Sequence, residues 1–237
     1  LVGPSMTDPG EYYDNNISKT IKLLNVVKTM SKQPLIMFSS SASVYGVPES
    51  CPICEDAAVH PISPYGNTKA MTETILKDYA TAYGISSVVF RYFNAAGAMP
   101  LTHDLGQEPG ATHIVARALE ASIGKQQFRI YGNDYPTPDG TCVRDYVHVW
   151  DIALAHVRAT EYLKIAGDFL GDRTDRTAGQ WTFNLGTNKG ISNLQIAEYV
   201  EQHYGLTFVS SAVRRMGDPA ELIADSTEAN VDLGWKP

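Results

Sequence analysis

Residues 34–69 constrain the fold of this chain more than any other stretch. A short apolar run, Pro34-Leu-Ile-Met-Phe38, is typical of a buried parallel strand, and a cluster of hydroxyls, Ser39-Ser-Ser-Ala-Ser43, follows it directly. In open α/β sheets, ligands bind at the carboxyl ends of the strands. The stretch therefore predicts a parallel sheet with a polar site at its carboxyl edge, although serines after a strand are also ordinary turn residues.

The segment Ser63-Pro-Tyr-Gly-Asn-Thr-Lys69 predicts the start of a helix. Ser63 is a typical N-cap, and Pro64 suits the first helical turn because the N–H groups there have no partner within the helix. Tyr65 and Lys69 then lie one turn apart on one face. An ammonium near a phenol lowers the phenol's pKa from its usual value of about 10. The pair predicts an acid/base device, and the alternative is a solvated helix face.

Charge and hydropathy argue against several classes of function. The 237 residues carry a net charge of −7 without a basic run, which disfavours binding to nucleic acid or to an anionic membrane. No apolar stretch approaches the ~20 residues needed to cross a bilayer, and no signal peptide is recognisable, so we expect a cytoplasmic protein. Cys51 and Cys54 have the spacing of a redox or metal pair. Because no second ligand pair accompanies them, we expect an ordinary loop and no metal.

Helical and strand patterns alternate along the rest of the chain. Helices are predicted over residues 11–31, 65–83, 111–124, 150–165 and 191–204. Strands are predicted over residues 86–91, 127–131, 142–149, 181–186 and 208–213. Loops are predicted over residues 1–10, 99–110 and 166–179.

Several segments resemble the extended short-chain dehydrogenase/reductase family, and within it the UDP-hexose 4-epimerases. The serine cluster and the Tyr65/Lys69 pair carry part of the resemblance. The other matching segments are Glu11-Tyr-Tyr-Asp-Asn-Asn16, Arg91-Tyr-Phe-Asn-Ala-Ala-Gly97, residues 132–148, Asn184-Leu-Gly186 and Arg214-Arg-Met-Gly-Asp218. The resemblance covers essentially the whole chain, and residues 132–148 are its most specific part.

The resemblance implies a Rossmann-like, doubly wound parallel sheet of the α/β class with a smaller α/β substrate-binding lobe. Residues 1–97 and 142–190 would form the NAD-binding domain, and residues 98–141 and 191–237 the UDP-sugar-binding lobe. The family's first βαβ unit, with its glycine-rich phosphate loop, has no counterpart in the sequence. We therefore expect a chain shortened at both ends.

The resemblance also implies a cofactor, NAD, and the residues that hold it. These are Asn15, Ser39, Ser40, Tyr65, Lys69 and Tyr92. From the residues alone, Asn15 is as consistent with helix capping as with a cofactor contact. No residue is assigned to a metal.

A UDP-sugar is the implied substrate. Its implied contacts are Ser41, Asn94, His113, Ile114, Tyr131, Arg144, Tyr146, Arg215 and Asp218. A guanidinium fork fits two phosphate oxygens, Tyr131 would stack on uracil, and Asp218 would accept a hydrogen bond from the ribose. Without the resemblance, Asn94 is a turn residue, Tyr131 a core aromatic and His113 a surface histidine.

The implied reaction is epimerisation at C4 of the hexose through a 4-keto sugar, with Tyr65 taking the proton of the 4-hydroxyl directly or through Ser41. Helices 11–31 and 65–83 would pair into a homodimer. A nucleotide-sugar 4,6-dehydratase would need an acid pair where this chain has Ala42 and Ser43. A non-catalytic UDP-sugar-binding fragment is a further alternative. Leu222, which matches a pocket-lining position, leaves the acceptance of N-acetylated sugars open.

Overall fold

The computed structural model describes residues 1–99, 110, 112–169, 179–215 and 217–237, without the side chains of residues 164–169. The helices are α1 (Val2–Thr7), α2 (Pro9–Tyr13), α3 (Lys19–Val27), α4 (Pro64–Tyr83), α5 (Ile114–Ile123), α6 (Val149–Phe169), α7 (Asn193–Tyr204) and α8 (Thr227–Leu233). The strands are β1 (Ile36–Ser41), β2 (Ser87–Tyr92), β3 (Asn94–Ala96), β4 (Gln127–Tyr131), β5 (Val143–His148), β6 (Gln180–Leu185), β7 (Gly190–Ser192), β8 (Thr207–Ser211) and β9 (Glu221–Leu222).

One sheet has the order β1-β2-β6, and its three strands are parallel. The central strand β2 is buried on both faces, as its run of Val88, Val89 and Phe90 predicts. The register places Ser41 beside Tyr92 at the carboxyl ends of β1 and β2. The α/β class and the parallel sheet predicted from the sequence are therefore confirmed, and the serine cluster lies at the predicted edge.

Helices α6 and α8 cover one side of this sheet. Its core contains Phe90, Phe183 and Leu185, packed with Ile152 of α6. Residues from the C-terminal segment complete the core, namely Ala229, Leu233 and Trp235. These residues therefore pack with this sheet, whereas the resemblance implies the substrate lobe for residues 191–237. The apolar positions of the short helix α8 decide this packing, which no pattern in the sequence distinguishes from packing on the other lobe.

The smaller lobe is built on the parallel pair β4 and β8, covered by α5 and α7. Its separate core includes Phe128, Ile130, Ala197 and Val200. A capping box begins α7, because Ser192 and Gln195 each accept from the other's backbone N–H. Between the lobes, β5 pairs with β3, β7 and β9. Strand β5 thus carries Arg144 and Tyr146 to the junction of the two lobes.

The N-terminal segment differs from its sequence-based prediction. Residues 1–10 were predicted to be loop, but they contain α1 and the start of α2. The local reason is capping: Asp8 accepts a hydrogen bond from the N–H of Glu11, and Pro9 occupies the first helical turn. The predicted helix 11–31 is helical only to Val27, with a π-helical segment from Asp14 to Ser18.

Other boundaries shift by smaller amounts. Helix α6 extends to Phe169, so the start of the predicted 166–179 loop is helical. Residues 170–178 of that loop, and residues 100–109 of the predicted 99–110 loop, lie outside the described residues. Among the helices that the structure describes, none has the length and apolarity needed to cross a bilayer.

The loop of residues 49–62 is anchored to the sheet by Ile53 and Glu55. The N–H of Ile53 donates to the carbonyl of Ile223 at 2.8 Å, and the N–H of Asn184 donates to the Glu55 carboxyl at 2.6 Å. The pKa of Glu55 is raised to about 7, mainly by burial and in smaller part by the negative charges of Glu228 and Asp225, against the opposing effect of that hydrogen bond. Within the described ranges, no cluster of three metal-ligating side chains includes Cys51 or Cys54.

The raised pKa of Glu55 predicts a pH-dependent stability. Between its unfolded value near 4.5 and its folded value of about 7, the folded state binds more protons than the unfolded state. This contribution to stability is therefore complete below pH 4.5 and is lost as the pH rises through 7. Glu55→Gln keeps an acceptor for Asn184 but cannot titrate. Denaturant unfolding at a series of pH values should show a flatter profile for Glu55→Gln than for the parent, whereas Glu49→Gln, exposed in the same loop, should not change the slope.

Candidate active site

Helix α4 begins directly against the serine turn. Ser63 caps it by accepting from the N–H of Gly66 at 3.1 Å, and Gly84 ends it with a φ of 72°. A Cβ added at Gly66 would lie 2.6 Å from the carbonyl oxygen of Ser43, a distance that only glycine permits. The predicted cap, start and end of this helix are therefore confirmed. The absence of a side chain at residue 66 brings Tyr65 next to the turn.

Tyr65 faces a cleft of about 440 Å³ at the carboxyl ends of β1 and β2. Ser41, Ser43 and Tyr92 line the same cleft. Burial raises the pKa of Tyr65, while hydrogen bonding to Ser41 acts in the opposite direction and lowers it. Ser41 also accepts from the N–H of Ser43 at 3.2 Å and from its hydroxyl at 3.0 Å. The structure thus brings Tyr65 and Ser41 together, as the sequence predicts.

Lys69 lies beside Tyr65 on the same face of α4, as the sequence predicts, but its ammonium is held by a backbone carbonyl. Its ammonium donates to the carbonyl of Ser39 at 2.8 Å and lies 5.6 Å from the centroid of the Tyr65 ring. Burial lowers the pKa of Lys69, and the charge of Glu73 partly restores it. The pKa of Tyr65 is thus raised in this arrangement, whereas the sequence predicts that the ammonium lowers it. The reason is that burial of the phenol dominates and that a backbone carbonyl holds the ammonium.

A buried ion pair, Arg91 with Glu73, lies next to the serine cluster. Arg91 donates to both carboxylate oxygens of Glu73, from Nε at 3.2 Å and from Nη2 at 2.7 Å. The hydroxyl of Ser40 donates to the same carboxylate at 2.5 Å. Successive side chains of a strand point to opposite faces, so Ser40 is turned away from the face that carries Ser39 and Ser41. The Ser40 hydroxyl, predicted to contact the cofactor, donates its hydrogen bond to Glu73 instead.

Tyr92 is held by a chain of hydrogen bonds. Its hydroxyl lies 2.9 Å from Ser39 Oγ and 2.9 Å from Nε2 of His156. His156 in turn places Nδ1 2.8 Å from the carbonyl of Ile152. Because a carbonyl only accepts, Nδ1 carries a proton.

Sequence reasoning missed Glu73, Arg91 and His156. The spacing of Glu73 four residues after Lys69 was the one available signal.

Asn15 does not reach this cleft in the structure. It is exposed on the π-helical segment, and its side chain accepts from the ammonium of Lys19. The neighbouring Asn16 lies closer to the site, because its amide donates to Thr68 Oγ1 at 2.8 Å on α4. The structure therefore separates Asn15 from the other predicted cofactor residues.

A second, smaller cleft of about 150 Å³ adjoins the first. Four predicted substrate residues line both clefts: Asn94, His113, Arg144 and Asp218. The remaining residues of that prediction, apart from Ser41, line the smaller cleft: Ile114, Tyr131, Tyr146 and Arg215. The structure thus brings every predicted substrate residue into one continuous depression.

Cationic and aromatic groups dominate the smaller cleft. Arg144 is buried and lies 3.7 Å from the Asp218 carboxylate, while the Arg215 guanidinium stacks 4.5 Å from the centroid of the Tyr131 ring. The buried hydroxyl of Tyr146 has no hydrogen-bond partner among the described residues, and burial raises its pKa. A buried hydroxyl without a partner costs free energy. A polar ligand in this cleft would supply the missing partner.

Asp145 lies between Arg144 and Tyr146 on β5 and has a structural role. Its carboxylate accepts from the N–H and hydroxyl of Thr187, both at 2.7 Å, and from the N–H groups of Asn188 and Ala224. These bonds tie β5 to the loop after β6 and to the segment before α8. Arg144 and Tyr146, on either side of Asp145, are thereby fixed facing the cleft.

A parallel sheet with serines at a strand end, followed by a helix that begins with Tyr-x-x-x-Lys beside them, defines an extended short-chain dehydrogenase/reductase. A family model described as GDP-mannose 4,6 dehydratase matches residues 1–237. The UDP-glucose 4-epimerase of Streptococcus mutans is 44% identical over 240 residues, which span 100% of this chain and 68% of the relative. The enzyme of the same name from Azospirillum brasilense is 40% identical, with 65% of its length covered. The chain belongs to the UDP-glucose 4-epimerase family of extended short-chain dehydrogenases/reductases.

Solved structures agree with this assignment. The UDP-glucose 4-epimerase of Brucella ovis in complex with NAD is 41% identical with a TM-score of 0.86, and the match covers 99% of this chain and 69% of that chain. The enzyme from Stenotrophomonas, solved with NAD and a formylated UDP-arabinopyranose, is 37% identical with a TM-score of 0.87, with coverage of 100% and 68%. The chain thus spans about two thirds of the length of these relatives.

Proposed function

We propose that this protein catalyses the NAD-dependent epimerisation of UDP-hexoses at C4, with UDP-glucose and UDP-galactose as the substrate pair. The observation that carries the proposal is the continuity of the two clefts. The acid/base pair Tyr65 and Ser41 lies in one cleft, and the two arginines Arg144 and Arg215 line the other. A UDP-sugar has the same arrangement, because its reacting sugar hydroxyl lies near a negatively charged diphosphate.

The smaller cleft fits the UDP part of such a substrate. Arg144 and Arg215 offer guanidinium forks suited to phosphate oxygens, and Tyr131 offers a ring face suited to a base. In the structure, Arg215 covers that ring face and Arg144 lies near Asp218. Binding therefore requires Arg215 to exchange the ring for phosphate, and Asp218 becomes available to a ribose hydroxyl. The Tyr146 hydroxyl and Asn94 complete the polar lining.

The larger cleft fits the sugar and the nicotinamide half of the cofactor. Lys69, Ser39 and Tyr92 form a hydrogen-bonded group beside Tyr65, and these are the residues that would hold that half. NAD⁺, when bound, supplies a hydride acceptor and a positive charge. The protein's own residues hold the sugar, exclude solvent from the cleft and move one proton, which Tyr65 takes from the 4-hydroxyl and later returns.

The description of the matching family model raises a dehydratase as a second candidate. Elimination of water requires an added acid/base pair at the serine turn, where this chain has Ala42 and Ser43. Ala42 is buried and apolar, so the described site lacks that pair. The relatives named UDP-glucose 4-epimerase also favour epimerisation. A binding protein without turnover is the remaining alternative.

Product analysis tests the proposal. Purified protein is incubated with UDP-galactose, with and without added NAD⁺, and the nucleotide sugars are separated by chromatography. We expect UDP-glucose to form, and to form faster with added NAD⁺ if the cofactor is lost on purification. A 4-keto-6-deoxy product would indicate a dehydratase. Calorimetric binding of UDP-galactose without any product would indicate a binding protein.

We also propose a homodimer, formed by the helices around residues 11–31 and 65–83. Exposed apolar side chains on these helices support it: Leu23, Val26 and Met71 are 60%, 62% and 41% exposed. Light scattering should give twice the mass of the chain, and a monomeric mass at micromolar concentration would reject this proposal.

We further propose a cytoplasmic role in galactose metabolism. Growth of a deletion strain on galactose tests the metabolic role.

A further inference from the structure

Both acceptor positions of the Ser41 hydroxyl are filled by a single residue. Ser43 donates its backbone N–H to Ser41 Oγ at 3.2 Å and its own hydroxyl to the same oxygen at 3.0 Å. A serine hydroxyl has two lone pairs and one proton. The proton of Ser41 is therefore left to point into the cleft, where the phenol of Tyr65 lies on the same wall.

We propose that Ser43 is a positioning residue, which holds Ser41 as a hydrogen-bond donor to Tyr65 so that Tyr65 takes the proton of the substrate hydroxyl directly. This inference rests on the proposed epimerase function. A relay would need a free lone pair on Ser41 to receive the substrate's proton while Ser41 passes its own proton to Tyr65. With both lone pairs occupied, the substrate O–H bond breaks as the Tyr65 O–H bond forms, and Ser41 keeps its proton throughout.

The two hydrogen bonds that Ser43 donates to Ser41 have different structural roles. Donation from the backbone N–H is ordinary capping, because Ser41 is the N-cap of the short 3₁₀ helix Ala42–Val44. Capping needs only one acceptor lone pair and would leave Ser41 able to act as a relay. The hydroxyl of Ser43, on the wall of the cleft, occupies the second lone pair. Because linked hydrogen bonds strengthen one another, it also makes Ser41 a better donor to a phenolate.

Two variants at residue 43 test the proposal in the holoenzyme. Ser43→Ala removes the side-chain donor, and Ser43→Thr keeps it. In Ser43→Ala, we expect the acidic limb of the kcat–pH profile to move up by about one pH unit, which is roughly a tenfold loss of kcat at neutral pH that high pH recovers. The KM for UDP-galactose should stay within about twofold, because the residue acts through Ser41 on the proton and not on binding. Ser43→Thr should follow the parent profile.

The ionisation of Tyr65 provides a readout that does not depend on turnover. Ultraviolet absorbance titration, with Tyr65→Phe in the same background subtracted, should show Tyr65 ionising at higher pH in Ser43→Ala than in the parent. An unchanged titration and an unchanged acidic limb would overturn the proposal, as would a raised KM with an unmoved profile. Failure of the proposed function is a distinct result, because the parent protein would then form no UDP-glucose at all.

Discussion

Tyr65→Phe is expected to lower kcat for UDP-galactose epimerisation by about 10²–10⁴-fold, the usual contribution of a positioned acid/base group. Two phenols, Tyr65 and Tyr92, line the described part of the larger cleft. The hydroxyl of Tyr92 is hydrogen-bonded to Ser39 and His156, so the substitution removes the phenol that is available to the substrate. The ring itself is retained, so the cleft keeps its shape. Steady-state assays of both directions of the reaction measure the effect.

Tyr83→Phe is the matched control, since Tyr83 lies at the exposed end of the same helix. It should retain the parent kcat. Affinity for UDP measured by calorimetry should also be unchanged in Tyr65→Phe, because the UDP-binding residues line the other cleft. If Tyr65→Phe keeps more than a tenth of the parent activity, the assignment of Tyr65 as the base is wrong.

Arg91→Met is expected to destabilise the protein by about 3–5 kcal/mol, because it leaves the buried carboxylate of Glu73 without its partner. The side chains of Arg91 and Glu73 are 7% and 8% exposed, and their closest contact is 2.7 Å. Loss of the arginine also removes a donor to the Tyr45 hydroxyl at 2.8 Å. Urea unfolding followed by circular dichroism measures the change in the free energy of unfolding.

Arg158→Met gives the comparison at the surface. Arg158 pairs with Glu161 at 3.2 Å on α6, and both side chains are more than half exposed, so its loss should cost about 0–1 kcal/mol. The double variant Arg91→Met/Glu73→Leu should recover part of the stability lost in Arg91→Met, because no unpaired charge is then buried. Equal costs for Arg91→Met and Arg158→Met would show that the buried pair has no special role.

Local chemistry made much of the site predictable. Ser63 and Pro64 specify the start of α4, and this fixes the direction in which Tyr65 points. The alternation along β5 gives the common direction of Arg144 and Tyr146 and the opposite direction of Asp145. These predictions need only the helix period, the strand period and capping preferences, and each of these acts within a few residues.

The parts that could not be predicted depend on contacts between distant segments. His156 meets Tyr92 across 64 residues, and Ser40 meets Glu73 across 33. Lys69 was expected to act on the phenol, but its ammonium donates to the backbone carbonyl of Ser39 on β1. Sequence spacing shows which residues share a face, but not which partner that face meets in the folded protein.

Gly66 has a consequence for how the cleft can move. Because the backbone of α4 touches the carbonyl of Ser43 at this residue with no side chain between them, the helix and the serine turn cannot approach further or slide past each other freely. We therefore expect any widening of the cleft for a sugar to involve lining residues outside this contact, such as Gly217 and Asp218. We expect Tyr65 and Ser41 to move together, so that their relative position stays the same while the sugar rotates.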